Sequence, residues 1–316
     1  MILYIVFMNK TFEFKTLADF LDYFKNEEAC NKHFTNIRFR NGKYCPHCGY
    51  ADIYQFKGGK RYRCAKCRQD FTIKTGTVFG QSKLPLRKWF VAIYLLSTYN
   101  KGISSVQLAK QIGVTQKTAW FMDHRIRSAM KQNKGQLFGT IEMDETYVGG
   151  LEKNKHLSKR KSGTQGRNPK AKIPIIGLIQ RGGDVRATVA ENVTRITVES
   201  QIIKNVRFGS QLYTDDFLSY ARIGKYYPHE IVKHANGEYV RNGQVHSNSI
   251  ESFWALFKRG YQGIYHHMSR KHMQRYVNEF TYRFNRRTSS FQEIFSDVVD
   301  SMSQNAQLPY KKLTQA

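Results

Sequence analysis

Apolar residues fall at helical spacing at Leu17, Phe20, Leu21 and Phe24, which predicts a short packed helix opened by a capping box of Thr16 and Asp19. The periodicity then lapses. From Tyr44 to Phe79 the chain is rich in Gly, Tyr and Phe and reads as a small β module. Helical spacing returns from Pro85 to about Lys131: Trp89, Phe90, Ile93, Tyr94 and Leu96 predict a buried helix, and SSVQLAKQIGVTQKTAWFMDHRIRSAM predicts two more around a Gly113-Val114 turn. Beyond Gly139 four strand-like runs follow, TIEMDETYVGG, IPIIGLIQR, VRATVAEN and QLYTDDF. TVESQIIKNV, between the last two, reads as a crossover helix leading to a parallel strand, so the layout is α/β. IESFWALFKRG, KHMQRYVNEFTYRFNRR and FQEIFSDVV close the chain as helices, ahead of a polar tail from about Ser303.

Two stretches inside this frame carry chemistry. Cys45-Pro-His-Cys48 and Cys64-Ala-Lys-Cys67 are CxxC knuckles separated by fifteen residues, a spacing suited to tetrahedral Zn²⁺ on four thiolates with a hairpin between. A thioredoxin-like redox pair is the alternative, but no βαβ pattern surrounds the knuckles. His47 reads as a bystander and Cys30 as a small buried apolar side chain. In the helical pair, Val106, Leu108, Ala109, Ile112, Val114, Ala119 and Trp120 form a compact apolar set. The second helix would then present Gln116, Lys117 and His124 or Arg125 to a DNA groove as a helix-turn-helix, a plain helical hairpin being the alternative.

Charge sharpens the choice of partner. Fifty-one Lys and Arg against 24 Asp and Glu give a formal charge of +27, far beyond what solubility needs, and point to nucleic acid. The charge is spread through the chain: residues 38 to 88 carry thirteen Lys and Arg against two Asp, and residues 251 to 290 carry eight against two Glu. Arg63 and Lys66 in the ribbon, with Lys60, Arg61 and Arg68, are candidate phosphate contacts. So are Lys159, Arg160 and Lys161 in the basic loop 151 to 172, which reads as mobile. A membrane surface is disfavoured, because no amphipathic helix with a bare apolar face is present. MILYIVFMNK lacks the flanks of a signal peptide and reads as a first strand or an extended start before Met8, so a cytoplasmic, nucleoid-associated protein is expected.

Acidic residues stand out against this basic background: Asp144 in IEMDETY, Asp215 and Asp216 in LYTDDF, and Glu251 in HSNSIESFWALFKRG. Carboxylates on strand ends and a facing helix are what two hard cations, Mg²⁺ or Mn²⁺, need to act on a phosphodiester. Strand alternation puts Glu142, Asp144 and Thr146 on one face and Ile141, Met143, Glu145 and Tyr147 on the other, leaving Glu142 and Glu145 as rivals to Asp144. Ile250, Phe253, Trp254 and Phe257 form a core-facing helical stripe, with Glu251 and Lys258, seven apart, beside it. One can bind metal while the other, with Arg259, holds phosphate. The plain alternatives are a strand-end acid at Asp144 and a dipole-favoured acid at Glu251. Asn248 is a candidate cap and His246 a loop neighbour, while His266, His267, Arg283, Arg286 and Arg287 read as a DNA-facing surface.

Thirty-five residues separate Asp215 from Glu251, which resembles the "D, D, thirty-five, E" spacing of RNase H-like transposases and integrases, including the Lys seven places after the Glu. The order CPHCG, CAKC, MDETYVGG, YTDDFLSY, HSNSIESFWALFKRG is similar to bacterial insertion-sequence DDE transposases with an N-terminal zinc ribbon, the ISXO-like family numbered fifteen ninety-five, over roughly residues 15 to 300. The resemblance implies an N-terminal helical segment (1 to 38), a zinc ribbon (39 to 80), a helix-turn-helix region (81 to 134), an RNase H-like catalytic domain with a mixed sheet and flanking helices (135 to 302) and a tail. It also implies a homodimer or higher oligomer acting on double-stranded DNA, at the element's inverted repeats and at the target. Asp144, Asp215 and Glu251 would hold two Mg²⁺ or Mn²⁺, and Asp216 would be a helix-opening or supporting acid. The rivals are a non-catalytic DNA-binding regulator and a nuclease that cuts without joining.

Overall fold

A computed structural model describes residues 14–80, 82–130, 135–150, 156–160, 172–215, 218–220, 222–232, 248–305 and 308–314. In chain order the elements are α1 (Leu17–Tyr23), α2 (Glu27–Arg38), β1 (Ile53–Gln55), β2 (Tyr62–Cys64), β3 (Asp70–Phe71), α3 (Leu86–Thr98), α4 (Ser105–Ile112) and α5 (Gln116–Ala129). They continue with β4 (Thr140–Val148), β5 (Ile173–Gln180), β6 (Val185–Val189), α6 (Arg195–Asn205), β7 (Gln211–Asp215), β8 (His229–Val232), α7 (Asn248–Gly260), α8 (Met273–Asn285), α9 (Phe291–Gln304) and α10 (Tyr310–Thr314). They fall into two compact units, one of Met1–Tyr99, Ser105–Ala129 and Ser289–Ala316, the other of Asn100–Ser104 and Met130–Thr288. The expected opening strand or extended start before Met8 lies outside the described residues.

In the first unit, α1 opens with the expected capping box: Thr16 Oγ1 accepts from the Asp19 N–H, and Asp19 returns a carboxylate oxygen to the Thr16 N–H. Phe20 of α1, Phe24 at its C-terminal cap, Phe90 of α3 and Phe295 of α9 pack with ring centroids 4.9 to 5.4 Å apart. This contact moves a boundary. The resemblance implies a catalytic domain running to residue 302, but α9, with Phe295, Val298, Val299 and Met302 buried, belongs to the first unit. The polar tail from Ser303 is also corrected: α10 forms there, with Leu313 fully buried and Tyr310 against Phe121. Pro85 gives α3 no side-chain cap, and Glu27 takes over, accepting from the N–H groups of Leu86 at 2.7 Å and Arg87 at 2.9 Å. Buried Cys30 behaves as expected, its thiol pushed up to about 12 by burial and then by the charge of Glu27.

The second unit is built on a sheet of order β6-β5-β4-β7-β8. β4 pairs antiparallel with β5, β5 antiparallel with β6, while β4, β7 and β8 run parallel. Helix α6 makes the crossover into β7, as the pattern predicted, and packs Val198 and Ile202 on Ile141, Met143, Ile176, Leu178 and Leu212. The other face carries Ile175, Ile179, Val185 and Ala187 under α7 and α8, through Ile250, Phe253, Trp254, Phe257 and Phe280. The predicted stripe on α7 is therefore the buried one, and Glu251 and Lys258 are exposed beside it. Strand β8 was not foreseen: its HEIV run is four residues long and too short to show a period.

Candidate metal centres and nucleic-acid interface

The two knuckles adopt one backbone pattern. The Gly49 N–H donates to the Cys45 carbonyl and the Cys45 N–H to Tyr50; the Arg68 N–H donates to the Cys64 carbonyl and the Cys64 N–H to Gln69. The residue after each second cysteine must turn left-handed, and it is Gly49 (φ 76°) in the first and Arg68 (φ 61°) in the second. Strands β1, β2 and β3 form the antiparallel ribbon between and beyond the knuckles. All four Sγ atoms lie within 4.8 Å of one another, with Cys45 and Cys67 3.7 Å apart and Cys48 and Cys64 3.6 Å apart. A tetrahedron with Zn–S of 2.3 Å has edges of about 3.8 Å, so the donor set fits zinc. Burial would raise the Cys64 thiol, but the N–H groups of Cys67 and Lys66 and the neighbouring thiols pull it down to about 7, towards the thiolate that binds metal. His47 gives only its N–H, to Cys45 Sγ at 3.4 Å.

The acidic residues meet through the sheet. β4 and β7 run side by side with Ile141 opposite Leu212 and Glu142 opposite Tyr213. Two residues further along each strand stand Asp144 and Asp215, on the face of Glu142 and Tyr213. Asp144 is paired across β5 with Gly177. The missing side chain at Gly177 is what admits α7: a Cβ there would stand 2.5 Å from Trp254 and 2.9 Å from Ile250. Glu251 follows Ile250 on that helix. Burial first, then the charges of Glu145, Asp215 and Glu251, push the Asp144 carboxyl up to about 7. Among the described residues only the four cysteines bring three or more candidate ligand atoms within 4.8 Å, so the carboxylates form a wider group than the thiols.

The rivals on β4 have hydrogen-bonding partners of their own. Glu145 accepts a 2.6 Å hydrogen bond from the buried Tyr220 hydroxyl, the last residue of LYTDDFLSY. Glu142 is fully buried and pairs with Arg181 at 2.8 Å. At the end of β7, the Thr214 hydroxyl lies 2.9 Å from His229 Nε2 of β8. Tyr220, Arg181, His229 and Gly177 had no individual signal in the sequence, because each matters only through a partner brought to it by the sheet. Asp216 and His246 lie outside the described residues.

The basic candidates separate. Lys258 and Arg259 are exposed on α7, as are His266 and His267 beyond it. Gln116 and Lys117 are exposed at the start of α5, Gln116 bonded to Ser105 and Lys117 lying 5.0 Å over the Tyr310 ring. In the ribbon, Arg63 pairs with Asp70 at 2.7 Å and lies over Phe56, while Lys66 lies over Tyr50. Arg160 is exposed; the side chain of Lys159, all of Lys161 and most of the loop 151 to 172 lie outside the described residues. Three expectations fail. His124 and Arg125 are buried in the first unit, Arg125 donating to the carbonyls of Val78 and Leu308 at 2.9 Å, because α5 is covered on that face. Arg283 is buried against Glu279 one turn before it, and so does not face DNA. No helix among the described residues is long and apolar enough to cross a membrane.

A four-thiol ribbon and a sheet with clustered carboxylates thus stand in one strongly basic chain. Residues 136–285 match the ISXO2-like transposase domain, and residues 25–70 match the transposase zinc-ribbon domain. A Halobacterium salinarum protein described as an uncharacterized protein in transposable element ISH50 is 33% identical over 248 residues, spanning 75% of this chain and 83% of the relative. The chain belongs to the IS1595 family of transposases. Solved structures show fainter likeness. A simian T-cell lymphotropic virus intasome with a PP2A regulatory subunit is 14% identical at a TM-score of 0.28, over 60% of this chain and 67% of that one. The Mos1 transposase paired-end complex is 13% identical at 0.25, over 69% and 80%.

Proposed function

We propose that this chain cuts the ends of its insertion sequence and joins them to target DNA, with Asp144, Asp215 and Glu251 holding two divalent cations. The observation that carries the reading is the convergence of Asp144 on β4, Asp215 on β7 and Glu251 on α7 in a protein of net charge +27, where burial first, and then the charges of Glu145, Asp215 and Glu251, push Asp144 up to about 7. Repulsion of that kind costs stability, and it is relieved when hard cations bind oxygen donors. The strand order, with one antiparallel flank and one parallel, supports an RNase H-like sheet. Helices α4 and α5 support a helix-turn-helix, entered through Gln116 and Lys117.

In the first reaction the oxygen of water bonds to phosphorus at the element end and the P–O3′ bond breaks, leaving a 3′ hydroxyl. In the second that 3′ oxygen attacks a target phosphorus and displaces the target's own 3′ oxygen. No protein atom is bonded to DNA at either stage. Mg²⁺ or Mn²⁺, when bound, supplies charge to the phosphate and acidity to the attacking oxygen. The chain's side chains orient. Lys258 and Arg259 stand two turns along α7 from Glu251, about 10 Å, where a strand's next phosphates would run. Arg63, Lys66, Lys117 and Arg160, with Lys159 and Lys161, would hold flanking or target phosphates.

The test mixes full-length protein with a labelled element end and Mg²⁺ or Mn²⁺. Nicking followed by a joined product, abolished by Asp144→Ala, Asp215→Asn or Glu251→Gln and largely kept by Asp216→Asn, is the expected result. Binding without nicking would return the protein to a regulator, and nicking without joining to a nuclease.

A further inference from the structure

Glu142 has no exposure to solvent, and both its carboxylate oxygens are in use. Oε1 accepts from Arg181 Nε at 2.8 Å and from Ser249 Oγ at 3.0 Å. Oε2 accepts from the backbone N–H of Ser249 at 2.9 Å and of Ile250 at 3.1 Å. Those two N–H groups belong to the first turn of α7, which has no partners for them inside the helix and whose dipole favours a negative charge. A buried carboxylate is tolerated only when donors of this quality surround it. The Arg181 guanidinium, besides pairing with Glu142, lies 4.6 Å over the ring of Tyr213.

Each arm of this knot ends beside one acid of the site. Glu142 is two residues before Asp144 on β4, Tyr213 is two residues before Asp215 on β7, and Ser249 and Ile250 directly precede Glu251 on α7. We propose that the Glu142–Arg181 pair is a positioning knot that fixes the separation of Asp144, Asp215 and Glu251 and so sets the affinity of that group for divalent cations. Glu142 is a positioning residue here, not a ligand. Three like charges push one another apart, and α7 would yield to that push if its first turn were not tied to β4. The inference rests on the carboxylate reading given above.

Mn²⁺ titration of the full-length protein tests it, read by the rise in melting temperature and by the paramagnetic resonance of free Mn²⁺, without any DNA cleavage. Glu142→Gln keeps the size but turns an acceptor into a donor facing N–H groups. It should weaken Mn²⁺ binding by about tenfold or more, as loss of a partner behind a metal ligand does. Zinc content and metal-free binding of an element end should stay at wild-type levels. Ser249→Ala removes one of the donors named above, folds if Glu142→Gln does not, and should weaken Mn²⁺ binding by about two- to fivefold. Wild-type Mn²⁺ binding that is unchanged in both variants overturns the knot. A wild-type protein that binds no Mn²⁺ overturns the carboxylate reading itself.

Discussion

Asp144 sits where a carboxyl group is least comfortable. Its folded value of about 7 lies above the ordinary 3.8, so the folded protein holds that proton more tightly than the unfolded chain. Stability from this group is therefore full below pH 3.8, is lost as pH rises to about 7, and stays lost above. Asp144→Asn removes the penalty. In the metal-free protein it should add about 1 to 2 kcal/mol at pH 8, after allowance for solvent screening, and almost nothing near pH 4. Equal melting-temperature gains at both pH values would show that charge is not the cause. Arg68 is a second residue held against its preference, since the matching position of the other knuckle is Gly49. Arg68→Gly should stabilise the ribbon by about 0.5–1 kcal/mol, seen as a slower loss of zinc to a chelator. A faster loss would mean that the Arg68 side chain supports the knuckle.

At the scale of elements, what repeats locally was legible. Alternation along β4 separated Asp144 and Glu142 from Glu145, the stripe on α7 named its buried face, and the Thr16 capping box was visible from three-residue spacing. Contacts between distant segments were not. Glu27 caps α3 from 59 residues away and Glu142 caps α7 from 107, the same device used twice, and neither partner sits in the other's sequence window. Burial of Arg125 and Arg283 was hidden for a related reason: a guanidinium reads as surface until backbone carbonyls or an acid are placed around it. Gly177 belongs to the same group, looking in sequence like a weak point of a strand. In the fold it is the floor on which Trp254 and Ile250 rest, so Gly177→Ala should lift α7 and cost about 1–3 kcal/mol. Because Glu251 rides on that helix, Mn²⁺ affinity should fall as well. A variant that melts early yet binds Mn²⁺ like wild type would separate the packing of α7 from the geometry of its acid.

For the whole molecule, the charge of +27, the four-thiol ribbon and the proposed carboxylate site have different dependences, and these can be read apart. Phosphate contacts release counterions, so with roughly six to ten of them affinity falls by about 10³ to 10⁵ between 50 and 200 mM salt, whatever the sequence. Preference for the element's ends needs a folded reader, and the ribbon has little to fold with: strands of three, three and two residues around four thiols. Zinc must supply its folding energy. The second unit has its own apolar core on both faces of the sheet and does not depend on that metal. Extraction of zinc from the full-length chain should therefore abolish discrimination between element ends and random DNA while leaving weaker, steeply salt-dependent binding. Amide exchange should quicken in β1, β2 and β3 and stay slow in β4, β5 and α7. If end preference survives without zinc, the ribbon is not the reader, and recognition passes to α5 through Gln116 and Lys117.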